Sequence, residues 1–80
     1  MARVLMFGRL ADIAGWRERV VAAPSLDALT AALTAADPAL GEALRAPGVK
    51  AAVDHLLAAG DVALDDDGSE VAFLPPMSGG

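Results

Sequence analysis

Two continuous apolar runs, one near each end of the chain, limit the folds that this sequence can adopt. Residues 4–7 (VLMF) are closed by Gly8, and residues 71–74 (VAFL) are closed by two prolines. Each run has the length of a strand rather than a helix, and proline ends the second because it cannot donate a hydrogen bond to a neighbouring strand. Strands that are apolar on both faces are typical of sheets covered on both sides. The runs therefore predict such a sheet, with the first run at its centre.

A helix that can cover one face of this sheet is predicted in the middle of the chain. Its apolar positions recur at helical spacing, at Leu26, Leu29, Leu33 and Ala36. Ser25 is the expected N-cap. Asp37-Pro38 is expected to end this helix and to cap a shorter one that carries Leu40 and Leu44.

Further strands complete a small sheet. Residues 9–14 are expected to form a short helix or turn, and strands are predicted at residues 17–22, 49–53 and 70–74, with a short strand at 62–64 after a turn at Gly60-Asp61. The result is an α+β domain over residues 1–76, followed by a flexible tail at 77–80. Because one principal helix covers only one face of the sheet, we expect another protein to cover the second face.

Length, charge and cysteine content exclude several classes of function. The chain has 80 residues, a formal net charge of −5 and no cysteine. A phosphate backbone repels an acidic chain, so nucleic acid is not an expected partner. The apolar stretches are shorter than the roughly 20 residues of a membrane span, and no secretory signal pattern is present, so we expect a cytoplasmic protein with no membrane partner. Without thiols, disulfides, cysteine nucleophiles and cysteine-bound metals are excluded.

The polar residues offer little for catalysis or metal binding. His55 is the only histidine, and we interpret it as a surface or half-buried residue rather than a metal ligand. The acidic run at residues 65–67 lacks the alternating spacing of a calcium loop and is interpreted as a solvated turn. The serines have no neighbouring base, and Trp16 is expected to pack over the first two strands. No resident metal or cofactor is predicted.

The end of the chain, residues 75–80 (PPMSGG), carries the strongest functional signal. Small residues are common at disordered ends, so the diglycine alone is compatible with an idle tail. Here it follows a strand and two stiff prolines, and the last four residues can reach roughly 13 Å. Glycine has no side chain to obstruct a narrow channel. A terminal carboxylate becomes an acyl donor when it is joined to AMP, and sulfur can then capture it as a thiocarboxylate.

These residues resemble the MoaD family, the ubiquitin-like small subunit of molybdopterin synthase. The resemblance runs the length of the chain and is strongest over residues 68–80, with weaker matches at residues 4–7 and 51–54. It implies a β-grasp fold, with a small mixed sheet packed on one principal helix. It also implies a sulfur carrier that is not catalytic alone: Gly80 is adenylated, converted to thioglycine and inserted into a large subunit, where it donates sulfur for the dithiolene of molybdopterin.

The same resemblance implies partners and contact residues. The partners are a large synthase subunit (MoaE-like) and an E1-like activating enzyme (MoeB-like) that uses ATP. The tail residues Met77, Ser78 and Gly79 would thread into the partner ahead of Gly80. The partner-facing residues would be Phe7, Leu57, Leu74, Pro75 and Pro76. Three alternatives stay open: a carrier for another pathway such as thiamine thiazole or cysteine, a modifier conjugated to lysines through Gly80, and an interaction module with an inert tail.

Overall fold

The computed structural model describes residues 1–65 and 68–76, which form a mixed sheet backed by helices. The strands are β1 (Ala2–Met6), β2 (Glu18–Val21), β3 (Lys50–Val53), β4 (Leu56–Leu57) and β5 (Ser69–Leu74). The helices are α1 (Arg9–Ala14), α2 (Leu26–Ala36) and α3 (Pro38–Leu44). None of the helices in these two ranges is long and apolar enough to cross a bilayer.

The strands β1 and β5 form the parallel centre of the sheet. The strand order is β2-β1-β5-β3-β4, and every pair other than β1 with β5 is antiparallel. The register places Val4 beside Val71 and Met6 beside Phe73. The central position predicted for the first apolar run is therefore confirmed. Because β1 and β5 run in the same direction, both leave the sheet at the same end.

The helix-facing side chains of the central strands form the core. Alternate residues of β1 and β5 share one apolar cluster with leucines from all three helices, namely Val4, Met6, Val71 and Phe73 with Leu10, Leu26, Leu29, Leu33 and Leu40. Trp16 packs against this cluster, whereas its expected place over the first two strands stays a prediction. The predicted helical stripe is confirmed for its leucines, whereas Ala36 lies exposed in the last turn of α2.

Two side-chain caps fix the helix ends as predicted. Ser25 Oγ accepts a hydrogen bond from the Ala28 amide at 3.1 Å, and Asp37 Oδ1 accepts one from the Leu40 amide at 3.2 Å. Pro38 occupies the first turn of α3, where a missing N–H leaves no hydrogen bond unmade. Asp37 therefore ends α2 and begins α3.

The short strand predicted at residues 62–64 is wrong. Within this stretch only an isolated bridge forms, between Ala63 and Ser25. The turn before this stretch contacts the start of α2 instead. There the Asp61 carboxylate accepts a hydrogen bond from the Asp27 amide at 2.8 Å. A carboxylate is favourable in this position, since the first turn of a helix presents amides without helical partners.

The strand that the sequence patterns did not indicate is β4. It forms a hairpin with β3 across Asp54 and His55, whose φ angles are 49° and 73°. This left-handed backbone suits a two-residue hairpin turn, which is most often built from glycine or asparagine. The segment at residues 9–14, predicted as a helix or a turn, is the helix α1.

Candidate functional site

The face of the sheet opposite the helices carries the residues predicted to meet a partner. Strand alternation and register place these side chains on the outer face: Arg3, Leu5, Phe7, Lys50, Ala52, Leu57, Glu70, Ala72 and Leu74. The face is mainly polar at the end where β1 begins, apart from Val20, which lies opposite Arg3 and is exposed. It is mainly apolar at the end where β1 and β5 leave the sheet, apart from Lys50.

The apolar half of this face, which we name the outer patch, comprises Leu5, Phe7, Ala52, Leu57, Ala72 and Leu74. Leu57 lies opposite Ala52, which lies opposite Ala72. Ala72 pairs in turn with Leu5. One apolar row therefore crosses four strands.

A second row of the outer patch places Phe7 beside Leu74. The Phe7 amide donates a hydrogen bond to the Phe73 carbonyl at 3.2 Å, which extends the pairing of β1 to this residue. Phe7 is 45% exposed and Leu57 is 65% exposed. Large exposed apolar side chains that share one face indicate an interaction site. The structure thus brings the predicted residues Phe7, Leu57 and Leu74 together on one surface.

Sequence reasoning did not assign three members of the first row to the partner-facing residues, namely Leu5, Ala52 and Ala72. The two-residue alternation along β1 and β5 is the signal that separates Leu5 and Ala72 from the core-facing residues. In the predicted strand at residues 49–53 the same alternation places Ala52 on the face of Lys50, but its contact with Leu57 could not be predicted, because the sequence patterns did not indicate β4.

The polar half of the outer face is organised around Glu70. Arg3 Nη1 lies 4.0 Å from Glu70 Oε1, and Arg3 Nε lies 2.9 Å from Glu18 Oε2. His55 Nε2 lies 3.6 Å from Glu70 Oε2, and Asp54 Oδ1 accepts a hydrogen bond from the Glu70 amide at 2.9 Å. The imidazole is largely exposed. Within residues 1–65 and 68–76, no three metal-binding side chains are grouped to hold an ion.

Two glycines, which we name the glycine cradle, hold the prolines that follow β5. Gly8 and Gly48 have φ angles of 57° and 87°. A Cβ atom added to Gly8 would lie 2.9 Å from Pro75 Cγ, and one added to Gly48 would lie 2.7 Å from Pro76 Cβ. Both separations are shorter than real Cβ contacts. At both positions, glycine allows the backbone conformation and the close approach of a proline ring.

The prolines of the tail base lie against their own domain. They line a small apolar groove together with Leu10, Ile13, Ala43, Ala46 and Val49. Pro75 is half-buried and Pro76 is exposed. The predicted contact of both prolines with a partner therefore stays a prediction, and their contact with the cradle is a feature that sequence reasoning missed.

Four of the predicted site residues lie outside the described part of the chain. These are Met77, Ser78, Gly79 and Gly80, which follow Pro76. Asp66 and Asp67 of the acidic run also lie outside it. The threading of the tail and the domain boundary at residue 76 therefore stay predictions.

Comparisons with known proteins confirm the predicted ubiquitin-like β-grasp fold. A model of the ThiS family matches residues 4–80. The crystal structure of SAMP1 from Haloferax volcanii matches with a TM-score of 0.79 and 28% identity, over 99% of this chain and 98% of that one. A second crystal structure, of H. volcanii small archaeal modifier protein 1, matches with a TM-score of 0.74 and 25% identity, over 95% and 97%.

A solution structure gives the same fold at lower identity. Small archaeal modifier protein 1 from Methanosarcina acetivorans matches with a TM-score of 0.85 and 22% identity, over 99% of this chain and 95% of that one. No curated protein sequence matches this chain. The family match is to ThiS rather than to MoaD by name, so the narrower assignment rests on the resemblance described above.

Proposed function

The chain belongs to the ThiS family of ubiquitin-like sulfur carriers, and from this membership we propose that it carries sulfur as a thiocarboxylate on Gly80. Carriers of this family are not catalytic by themselves and work with E1-like activating enzymes. The observation that carries the proposal is that the outer patch leads directly to the proline base of the tail. We expect this work to take place in the cytoplasm, without a resident cofactor.

The proposed chemistry takes place in two steps at the Gly80 carboxylate. A carboxylate oxygen attacks the α-phosphorus of ATP, the bond to the β-phosphate breaks, and pyrophosphate leaves. Sulfide then attacks the acyl carbon, AMP leaves, and the glycine ends in a thiocarboxylate. Because the chain has no cysteine, the sulfur comes from outside it. The activating enzyme supplies the catalytic groups.

In this proposal the folded domain positions the carboxylate rather than activates it. The cradle fixes Pro75 and Pro76, and the four residues beyond them can reach at most about 13 Å. Docking of the outer patch on the partner would orient the domain, so that the tail enters the partner's site. Patch and cradle would then together determine where Gly80 arrives.

Molybdopterin is the proposed final acceptor of the sulfur. The support is the resemblance over residues 68–80, together with the position of Phe7, Leu57 and Leu74 on one face. The large subunit (MoaE-like) would bind the outer patch and receive the tail, after the activating enzyme (MoeB-like) has used the same face. A carrier for thiamine thiazole or cysteine would use the same carboxylate chemistry, so the partner decides between these acceptors.

Reconstitution with ATP, an E1-like activating enzyme and sulfide tests the carrier role. The intact protein should gain the mass difference between one sulfur and one oxygen atom. A variant that lacks Gly80 and a variant extended by one alanine should fold normally and stay unmodified. Sulfur on the terminus of either variant would contradict the mechanism. Recovery of a large synthase subunit with the native protein would then support molybdopterin as the acceptor.

The similarity to the archaeal modifiers favours a second candidate function. SAMP1 of H. volcanii, a small archaeal modifier, is 28% identical to this chain. As a modifier, the chain would transfer its activated Gly80 carboxyl to a lysine amine, with loss of AMP. Lys50 is the only lysine in the chain, and it is exposed at the start of β3. Mass spectrometry of native extracts separates the two functions, since a modifier joins its Gly80 carboxyl to target lysines, and cleavage after Met77 with cyanogen bromide leaves a Ser-Gly-Gly remnant on them.

A further inference from the structure

Some basic side chains form an ion pair or a cation–π contact, and the others form no ion pair. Arg3 pairs with Glu18 and approaches Glu70. The Arg19 guanidinium lies 4.6 Å from the centre of the Trp16 ring, in a cation–π contact. Within residues 1–65 and 68–76, the other basic side chains form no ion pair, and these are Arg9, Arg17, Arg45 and Lys50.

Three of these cations surround the base of the tail. Arg9 lines the same groove as Pro75 and Pro76. Lys50 lies opposite Leu74, the last residue of β5. Arg45 directly precedes Ala46, which also lines that groove. All three are exposed. We name Arg9, Arg45 and Lys50 the basic rim.

Five of the nine acidic side chains within residues 1–65 and 68–76 lie at the opposite end of the molecule. Around the starts of β1, β5 and α2 lie Asp27, Asp54, Asp61, Asp65 and Glu70. Two acidic residues lie nearer the rim. Asp12 lies one helical turn after Arg9, and Glu42 lies one turn before Arg45, but neither forms an ion pair with that arginine. In a chain with a net charge of −5, cations are thus gathered where the tail leaves the domain.

We propose that the basic rim binds an acidic protein surface at the mouth of the site that receives the tail. This inference rests on the proposed function and adds a second, electrostatic contact beside the outer patch. Besides an acidic protein surface, a nucleotide phosphate is the other group that cationic side chains could bind here. The reacting carboxylate can lie up to about 13 Å beyond Pro76, so a rim at Pro76 reaches the mouth of the site rather than the nucleotide at its end.

The rim has a physical task because the whole chain is acidic. A net negative protein is repelled by an acidic partner unless its positive end approaches first, and the separation of charge along the molecule favours that approach. Electrostatic complementarity of this kind mainly raises association rates and falls with added salt. The rim should therefore set how readily the carrier is captured, and not how fast bound Gly80 reacts.

Two variants of equal net charge separate the rim from general charge. The rim variant is Arg45→Gln with Lys50→Gln, and the control is Arg3→Gln with Arg19→Gln, which removes two cations away from the rim. The measurement is the dissociation constant for the E1-like activating enzyme, read by fluorescence anisotropy with a dye on the N-terminal amine. The binding assay needs no chemical step, and thermal unfolding checks that both variants are folded.

We expect the rim variant to bind about tenfold more weakly than the control at low ionic strength. The difference should vanish near 0.5 M salt, where the screening length falls to roughly 4 Å. Equal dissociation constants at low salt would overturn the proposal, and so would a difference that salt leaves unchanged. If the rim variant instead loses affinity for inorganic phosphate and keeps its affinity for the enzyme, the rim is a site for a small anion and the proposal is overturned. Thiocarboxylate formation on the wild-type chain tests the proposed function separately.

Discussion

Replacing Gly48 with alanine tests whether the glycine cradle aims the tail. The added Cβ would lie 2.7 Å from Pro76 Cβ and 3.5 Å from Pro76 Cα. Ordinary contact begins at 3.4 Å, so the loop or the proline must move by at least about 0.7 Å. The proline ring is part of the backbone, so its movement is passed on to the residues that follow. Gly15→Ala is the matched control, because Gly15 has a φ of 82° and nothing within 4 Å of an added Cβ.

The two variants should differ in chemistry more than in backbone strain. Each places an alanine in the left-handed region, at a cost of about 1–2 kcal/mol. For a domain of this size, each kcal/mol lowers Tm by roughly 4–8 °C. Misplacing a reacting group by about 1 Å can slow a reaction by about 10²-fold. We therefore expect Gly48→Ala to slow adenylation of Gly80 at least about tenfold relative to Gly15→Ala.

The assay is pyrophosphate release by the activating enzyme with saturating carrier, at a temperature where thermal unfolding shows both variants folded. Saturation removes any difference in docking, so the remaining difference reports the position of the terminus. Equal rates for the two variants would refute the role given to the cradle. A similar loss in Gly15→Ala would show that backbone strain, rather than contact with Pro76, is responsible.

Three further changes address the outer patch, the modifier alternative and the helix caps. Phe7→Glu should raise the dissociation constant for the activating enzyme, measured by calorimetry, by about tenfold or more. The control Val20→Glu, at an exposed apolar residue on edge strand β2, should change this constant less than about twofold. Equal effects of the two variants would contradict binding of the enzyme by the outer patch. Lys50→Arg should remove any self-linked species joined at Lys50 from gels and leave the thiocarboxylate mass unchanged, and loss of that mass would contradict a carrier in which Lys50 takes no part in chemistry. Asp37→Ala should lower the free energy of unfolding in urea by about 1 kcal/mol, and an unchanged value would mean that the cap contributes nothing.

Local patterns sufficed to predict the elements that local physics determines. The leucine stripe of α2 and its Ser25 cap follow from helical spacing and from the free amides at a helix start. The central strand β1 followed from a run that is apolar on both faces. The strand β4 was missed because its turn is formed by Asp54 and His55. These residues adopt a left-handed backbone without the glycine or asparagine that usually marks such a turn in a sequence.

The candidate site depended on contacts between distant parts of the chain. Gly8 and Gly48 meet consecutive prolines only after β1, β3 and β5 have brought their ends together. No local pattern around either glycine indicates a proline as its neighbour. Likewise, Phe7, Leu57 and Leu74 were assigned by resemblance, and their common surface follows from strand register rather than from spacing in the sequence.

The parallel pairing of the two central strands places the N-terminus and the base of the tail at opposite ends of the sheet. The Ser69 amide donates a hydrogen bond to the Met1 carbonyl at 3.2 Å, so Met1 lies where β5 begins, and Pro76 lies beyond the other end of the same strands. A five-residue strand such as β1 separates these points by about 16 Å. A bead or a dye coupled at Met1 therefore presents every copy with the same end outward, and the outer patch and the tail base stay open for single-molecule or immobilised measurements.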